Sequence, residues 1–169
     1  LTQNKMTVTK IYLDKVIEPS ESNDNEKEML SYFAACCSAT IQGDKRIGDP
    51  TELALLDVNN LYGKDITNLI KVSELPFDSD RKLMSVLVQD EDKYIMITKG
   101  AFDIVLDRST ATEKQRATFV EASEVMANQA LRVLAIGIKE FKEKRELTLE
   151  DENELKLVGF VGMIDPSRD

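Results

Sequence analysis

The sequence predicts an α+β domain, with a largely antiparallel β-sheet flanked by helices. Two apolar, β-rich segments, 82–89 and 93–99, flank the turn-forming residues 90–92, which is the pattern of a β-hairpin. Elsewhere apolar residues recur three and four positions apart, as at Met29 and Phe33, which indicates amphipathic helices. Strands in hairpin relation, interrupted by helices, favour an α+β fold.

The other strands are predicted from alternation and apolar runs. Residues 6–13 alternate β-branched with polar side chains, which is typical of a strand. Residues 132–138 form an apolar segment typical of a buried strand, and residues 157–163 are predicted as the last strand. The charged segment 139–146 is expected to be a solvated loop.

The helices are predicted from spacing and capping signals. The first covers about residues 25–39, with Asn23 or Asp24 as its cap. The second begins at Asp49 and Pro50, since Asp suits the cap and Pro the first turn. Further helices are predicted over residues 66–72, 102–106 and 113–130, and residues 43–48 are predicted as a loop.

Length and hydropathy indicate one domain over residues 1–169. The chain has 169 residues, 42% of them hydrophobic, which suffices for one real core. Because no run of about 18 apolar residues occurs, we expect this chain to lack a membrane-spanning segment. It starts with polar residues and without an initiator Met, so we expect a piece of a longer protein without a signal peptide.

Charge and composition exclude several classes of function. The net charge of −9, from 22 basic and 31 acidic residues, argues against nucleic-acid binding, although a few Lys and Arg can still bind a small anion. With no His, the chain has no Ser-His-Asp triad, no Cys-His pair and no His metal site. The adjacent Cys36 and Cys37 are expected to be small core residues in a reducing compartment rather than a disulfide, and we expect no metal site.

The segment from Phe77 to Ser85 is a candidate ligand-binding element. The Gly-rich phosphate loops of P-loop ATPases, Rossmann proteins and kinases are absent. Instead, Phe77 ends a short strand, a turn follows, and the basic pair Arg81 and Lys82 opens the next strand. The ring could lie under a base while Lys82 reaches a phosphate. The alternative is a core Phe beside a solvated turn.

Three further positions have a structural interpretation, and two of them also have a ligand-binding one. Lys99, before Gly100, lies at a strand end where a ligand can approach the backbone, or it is an exposed Lys at an ordinary turn. Glu52 is placed to fold back on a helix cap as in a capping box. Arg132, a charge among apolar neighbours, is either paired or in contact with an anion.

Taken together, five segments in the same order resemble the P-type ATPases, especially type II calcium pumps. They are residues 1–8, 48–55, 77–85, 99–101 and 165–168. These resemble, in turn, the segment after the Asp-Lys-Thr-Gly-Thr phosphorylation motif, the Gly-Asp-Pro-Thr-Glu block, the Phe-x-Ser-x-Arg-Lys block, Lys-Gly-Ala and the Asp-Pro-Pro-Arg hinge. The resemblance implies the fold of the family's nucleotide-binding domain, with hinge segments to a phosphorylation domain at about residues 1–6 and 163–169.

The resemblance also implies roles for individual residues. Phe77 would stack on adenine, Glu52 would meet its edge and Leu134 would pack beside it. Lys82 and Lys99 would line the nucleotide, Gly100 and Ala101 would give it space, and Arg132 would approach the phosphates. The nucleotide-binding residues are thus expected to be Glu52, Phe77, Lys82, Lys99, Gly100, Ala101, Arg132 and Leu134.

The expected ligand is ATP, and the expected partners are the phosphorylation and actuator domains of the same full-length pump. The phosphorylated Asp would precede Leu1 and the Mg²⁺ ligands would follow Asp169, so the chain would hold no catalytic or metal-binding residue. We therefore expect a monomeric fragment, from the cytoplasmic part of an integral membrane pump, that binds ATP without hydrolysing it. Calcium is the favoured ion.

Three positions depart from the family pattern. Ser167 stands where the hinge motif has its second Pro, Phe102 where Pro often follows Lys-Gly-Ala, and Ser79 where some calcium pumps have Arg.

Two other functions are considered. One is a haloacid-dehalogenase-type phosphotransferase using Asp78-Ser79-Asp80, and the other is a non-catalytic interaction domain. If Lys99 lines a nucleotide pocket, partly shielded from water, Lys99→Gln should weaken ATP binding and leave stability almost unchanged.

Overall fold

A single large antiparallel sheet dominates the computed structural model, which describes residues 5–166. The strands are β1 (Thr7–Tyr12), β2 (Val16–Ile17), β3 (Thr40–Gln42), β4 (Lys45–Ile47), β5 (Ile70–Asp78), β6 (Leu83–Asp90), β7 (Lys93–Ala101), β8 (Arg132–Phe141) and β9 (Lys156–Ile164). Seven of them form the sheet in the order β2-β1-β9-β8-β7-β6-β5, with each neighbouring pair antiparallel. The predicted α+β fold with an antiparallel sheet is confirmed.

Four helices flank the sheet in the described part of the chain. They are α1 (Asp24–Ala35), α2 (Pro50–Tyr62), α3 (Phe102–Asp107) and α4 (Glu113–Asn128). Asn23 caps α1 as predicted: its side chain accepts from the Glu26 N–H at 3.0 Å, and the Glu26 carboxylate accepts from the Asn23 N–H at 2.8 Å. This reciprocal capping box fixes the start of the helix.

The helices cover both faces of the sheet. On one face, α1 and α2 bury Met29, Phe33 and Leu55 against side chains of β6 and β7. On the other face, α3 and α4 bury Val105 and Met126 with Phe160 of β9. Because strand side chains alternate in direction, neighbouring residues of β6 and β7 enter different cores.

The helix predicted over residues 66–72 is wrong. Residues 66–69 form a turn, and β5 starts at Ile70 and pairs with β6. Over so short a segment, helical spacing and strand alternation are difficult to distinguish. Val72 and Leu75 pack against a small apolar cluster on β6 and β7, and this burial favours the strand.

Three other boundaries differ from the predictions. The loop predicted over residues 43–48 contains the turn and second strand of the hairpin β3–β4, with Gly43 at a φ of 62°. Helix α1 ends at Ala35, four residues before the predicted end, because the chain turns at Cys36 and buries its thiol against the Met84 carbonyl at 3.4 Å. Strand β8 continues to Phe141, so the predicted loop after it starts later.

No helix within residues 5–166 is long and apolar enough to cross a membrane.

Candidate functional site

A cavity of about 670 Å³ lies where the sheet meets the first turn of α2. That volume is within the range of about 300–1,000 Å³ that small-molecule sites occupy. Six of the eight residues predicted for the nucleotide site line it: Glu52, Phe77, Lys99, Gly100, Arg132 and Leu134. Lys82 and Ala101 are not part of its lining.

The cavity wall contains an ion pair between Lys99 and Glu52. The Lys99 ammonium donates to Glu52 Oε2 at 2.7 Å, and Lys99 is only 5% exposed. The other carboxylate oxygen, Oε1, accepts from the backbone N–H groups of Ser38 and Ala39, each at 2.9 Å. The pair therefore ties β7 to α2 and to the segment after α1. The interpretation of Lys99 as an exposed cation at an ordinary turn is wrong. The expectation that Lys99→Gln leaves stability almost unchanged is also wrong, since the mostly buried Glu52 carboxylate would lose its partner.

The environment of this pair stabilises its charged form. Burial alone would raise the pKa of Glu52, but the Lys99 charge and the three donated hydrogen bonds hold it below its ordinary value. Burial alone would lower the pKa of Lys99, but Cys37, Cys36 and Glu52 together raise it. Since burial also raises the pKa of Cys36 to about 11 and that of Cys37 to about 12, both thiols are neutral at pH 7. At pH 7 the Glu52 carboxylate is therefore the negatively charged partner of Lys99.

The capping-box interpretation of Glu52 is wrong. Asp49 occupies the cap position of α2, as predicted, but its side chain makes no capping hydrogen bond. The Glu52 carboxylate points instead toward Lys99 and the backbone after α1. The hydrogen bonds of the Glu52 carboxylate are therefore made within the cavity wall and not to the start of its own helix.

Phe77 projects its ring at the edge of the cavity. The residue lies near the end of β5 and is 59% exposed. The alternative of a core Phe is therefore wrong. An aromatic ring left in water beside a cavity provides a flat apolar surface on which a planar ligand can stack.

Arg132 and Leu134 line the cavity from the start of β8. Arg132 is about half exposed at its side chain, and Nη2 lies 3.5 Å from Asp165 Oδ2. Both interpretations of Arg132 therefore remain compatible with its geometry: it has a paired charge and also faces the cavity. Leu134 adds an apolar side chain from the same strand.

Gly100 lines the cavity, but the fold itself requires a residue without a side chain at this position. A Cβ at Gly100 would lie 2.3 Å from the Lys82 carbonyl oxygen, so glycine permits the close approach of β6. Lys82 itself is exposed and has a φ of 62°, at the end of the turn that precedes β6. Ala101 pairs with Leu134 of β8 and caps α3.

Comparison with known proteins identifies the family. The profile described as "P-type ATPase, cytoplasmic domain N" matches residues 25–169. The chain belongs to this family. It is 37% identical to the Calcium-transporting ATPase 1 of Bacillus cereus over 186 residues, which cover 99% of this chain and 21% of that protein.

Two further relatives mark the breadth of the similarity. The chain is 39% identical to a Calcium-transporting ATPase of Listeria monocytogenes, over 100% of this chain and 22% of that protein. It is 32% identical to a Sodium/potassium exporting P-type ATPase of Schizosaccharomyces pombe, over 91% of this chain and 17% of that protein. The chain thus spans about a fifth of the length of these relatives.

The departures from the family pattern have distinct positions in this N domain. Phe102 starts α3, and its ring packs edge-on against Phe160 with centroids 5.0 Å apart, so it is part of the core. Ser79 is exposed in the turn after β5. Ser167 lies outside the described residues, as do residues 1–4, which carry half of the first resembling segment.

Sequence reasoning missed several wall residues of the N-domain cavity. They are Ser38, Ala39, Ile47, Gly48, Asp49, Thr51 and Met84. The motif that contains Glu52 also contains Gly48, Asp49 and Thr51, and this proximity was a usable signal. For Ser38 and Ala39 no signal existed, since they contribute backbone N–H groups.

The remaining candidate chemistry has structural explanations. Asp78 accepts from the N–H of Asp80 at 2.7 Å within its own turn, which is the behaviour of a turn-stabilising Asp rather than a phosphotransferase nucleophile. Cys36 and Cys37 are free and buried, as predicted. Among residues 5–166 no group of three or more acidic, Cys or His side chains is arranged to hold a metal.

Proposed function

We propose that this chain is the ATP-binding domain of a cation-transporting P-type pump. The observation that carries the proposal is the exposed ring of Phe77 beside a cavity whose wall holds the buried pair Glu52–Lys99. The family membership and the names of the calcium-transporting relatives favour calcium as the ion.

Adenine is suited to the apolar part of this cavity. Its face would stack on Phe77 and its flank would contact Leu134. A carboxylate offers about four lone-pair sites, and three on Glu52 are taken by Ser38, Ala39 and Lys99. The fourth can accept from the adenine amine.

The phosphates would extend toward the positive side of the cavity. Arg132 is a half-exposed cation on the wall, so it can contact a phosphate with little desolvation. Lys99 is buried and paired, and it would contribute mainly through its charge. Lys82 is exposed and outside the lining, so we retain it only as an outer contact.

The chemistry of phosphate transfer is assigned to the rest of the pump. The γ-phosphate would be presented to an Asp of the adjacent phosphorylation domain, connected through hinges at residues 1–6 and 163–169. Mg²⁺ would arrive with the nucleotide and find its protein ligands outside this chain. The actuator domain and the membrane helices would complete a pump whose N domain lies in the cytoplasm.

The isolated chain should bind ATP weakly as a monomer and not hydrolyse it. One aromatic contact and few charges correspond to a dissociation constant of about 0.1 mM to a few mM, or ~4–5.5 kcal/mol. A titration with ATP, monitored by amide chemical shifts, should selectively move the signals of residues around Phe77 and Lys99. Absence of shifts at saturating ATP would favour a non-catalytic interaction domain, and phosphate release above background would contradict the assignment of hydrolysis to other domains.

A further inference from the structure

A fully buried carboxylate lies on the face of the sheet opposite the cavity. Glu152 follows a short 3₁₀ turn at Leu149–Asp151 and is 0% exposed. Its carboxylate pairs with Arg81 through two bonds, Nε to Oε1 at 2.7 Å and Nη2 to Oε2 at 3.1 Å. It also accepts from the Ser85 hydroxyl, which shares a 2.7 Å hydrogen bond with Thr98.

This pair reaches the segment that carries the exposed aromatic ring. Nη2 of Arg81 also donates to the carbonyl of Pro76, the residue before Phe77, at 3.3 Å. The pairing of β5 with β6 skips from Leu75 to Asp78, so the ladder passes over Pro76 and Phe77. The Arg81 guanidinium thus contacts the backbone where the regular strand pairing is interrupted.

The turn between β5 and β6 fixes the direction of Arg81. The Lys82 N–H donates to the Asp78 carbonyl at 2.6 Å, and the Asp78 side chain accepts from Asp80. The Arg81 side chain therefore points to the face of the sheet on which Glu152 lies, whereas Phe77 lies at the cavity edge. A planar fork bound to a fixed carboxylate is a rigid support for both ends of the turn.

We propose that Glu152 and Arg81 are positioning residues for the nucleotide: they hold the end of β5 so that the Phe77 ring is ordered before ligand binds. This proposal rests on the proposed function. Neither side chain lines the cavity, so both act through the backbone at Pro76. Without them the exposed ring would have to be ordered during binding, which weakens affinity.

The test is an ATP titration of Glu152→Gln, alone and combined with Phe77→Ala. Gln keeps the shape of Glu but loses the charge that binds the guanidinium. We expect ATP affinity to fall about three- to tenfold, the cost of ordering one side chain on binding. In the Phe77→Ala background, Glu152→Gln should cause no further loss, because the ring it positions is gone.

A second variant covers the case in which Glu152→Gln does not fold. Arg81→Lys keeps the positive charge beside Glu152, but its ammonium lacks the fork that reaches Pro76 at the same time. It should lose affinity to a similar extent, again only while Phe77 is present. Asp107→Asn is the matched control, since it removes a carboxylate from the exposed pair with Arg116, which is remote from the cavity lining.

The outcomes separate this inference from the proposed function. If Phe77→Ala binds ATP like the wild type, the stacking site itself fails. If Phe77→Ala weakens binding but Arg81→Lys and Glu152→Gln bind normally, the positioning role is overturned and the site stands. Equal losses with and without Phe77 would also overturn it, because the pair would then act by another route.

Discussion

Two buried ion pairs stand on opposite faces of β6 and β7 and have different surroundings. The pair of Lys99 with Glu52 forms part of a cavity wall. The pair of Arg81 with Glu152 lies outside that wall, with the Glu152 side chain fully buried and that of Arg81 15% exposed. Thr98 and Lys99 are neighbours on β7, so one peptide unit separates the two environments.

Similar ion pairs can thus serve a ligand directly or indirectly. An ion pair that borders a cavity can exchange part of its hydrogen bonding with a ligand. A pair outside the cavity wall acts only through the chain around it. On this account Lys99 acts on the nucleotide through its charge, whereas Arg81 acts through the placement of Phe77.

Removing one partner from each ion pair should give the largest change in the free energy of unfolding, and it should show which pair stabilises the fold more. Arg81→Ala should destabilise the fold by about 3–5 kcal/mol, the usual result of leaving a buried charge unpaired, because the fully buried Glu152 carboxylate loses its partner. Lys99→Ala should cost less, about 2–3 kcal/mol, because water in the cavity can reach Glu52. Urea unfolding measures both, with Asp107→Asn as the exposed control expected within about 0.5 kcal/mol. A greater loss from Lys99→Ala than from Arg81→Ala would reverse the ranking.

The stabilisation that the Glu52–Lys99 pair gives the fold should be lost over a defined range of acidic pH. The folded-state pKa of Glu52 is below its ordinary value of 4.5, so its stabilisation is complete above that pH and is lost as pH falls through the folded pKa. The stability advantage of wild type over Glu52→Gln should therefore be constant near neutral pH and shrink below pH 4.5, by about 1.4 kcal/mol for each unit of pKa shift. Urea unfolding at several pH values checks this. A gap that stays constant down to full acid unfolding would contradict the assignment.

Lys99→Gln separates direct from indirect action. It should weaken ATP binding by about 1–3 kcal/mol, the range for a charged hydrogen bond, and the loss should persist when Phe77 is Ala. Titration of folded protein, verified by circular dichroism, gives the answer, with the exposed Lys142→Gln as control. Affinity equal to that of Lys142→Gln would exclude Lys99 from the site.

Magnesium should have the smallest effect. Glu52 is committed to Lys99 and two backbone N–H groups, and no metal-holding cluster occurs among residues 5–166. ATP affinity of the isolated chain should therefore change by less than about threefold, below ~0.7 kcal/mol, when Mg²⁺ is chelated. A tenfold dependence would mean that the chain contributes a metal ligand.

The strands that were predicted correctly carry local signals. The hairpin of β6 and β7 has an acidic turn between two apolar strands, and α1 has a capping box that can be recognised from sequence. Only the end of strand β5, at Phe77, was predicted as a strand. Its first part was missed because β5 lies at the sheet edge with mixed exposure, so neither alternation nor helical spacing is clear in its sequence. Its burial depends on neighbours that are distant in the chain.

The residues of the candidate site also differ in whether the sequence carries a local signal for them. Glu52, Phe77 and Lys99 lie in short motifs, so a family resemblance brought them together before the structure did. Glu152 lies in a charged stretch, where a buried carboxylate cannot be distinguished from solvated ones. Its partner, Arg81, is 71 residues away. Tertiary contact alone reveals that pairing.

The most direct test of the central claim is Phe77→Ala, studied by calorimetric titration and by melting on the same sample. Because Phe77 is 59% exposed, its removal should change stability by less than about 0.5 kcal/mol. If the ring stacks on adenine, ATP affinity should fall by about 1–3 kcal/mol, and Phe77→Tyr should retain most of it. Unchanged ATP affinity in Phe77→Ala, with the fold intact, would contradict the proposal that this cavity holds the nucleotide.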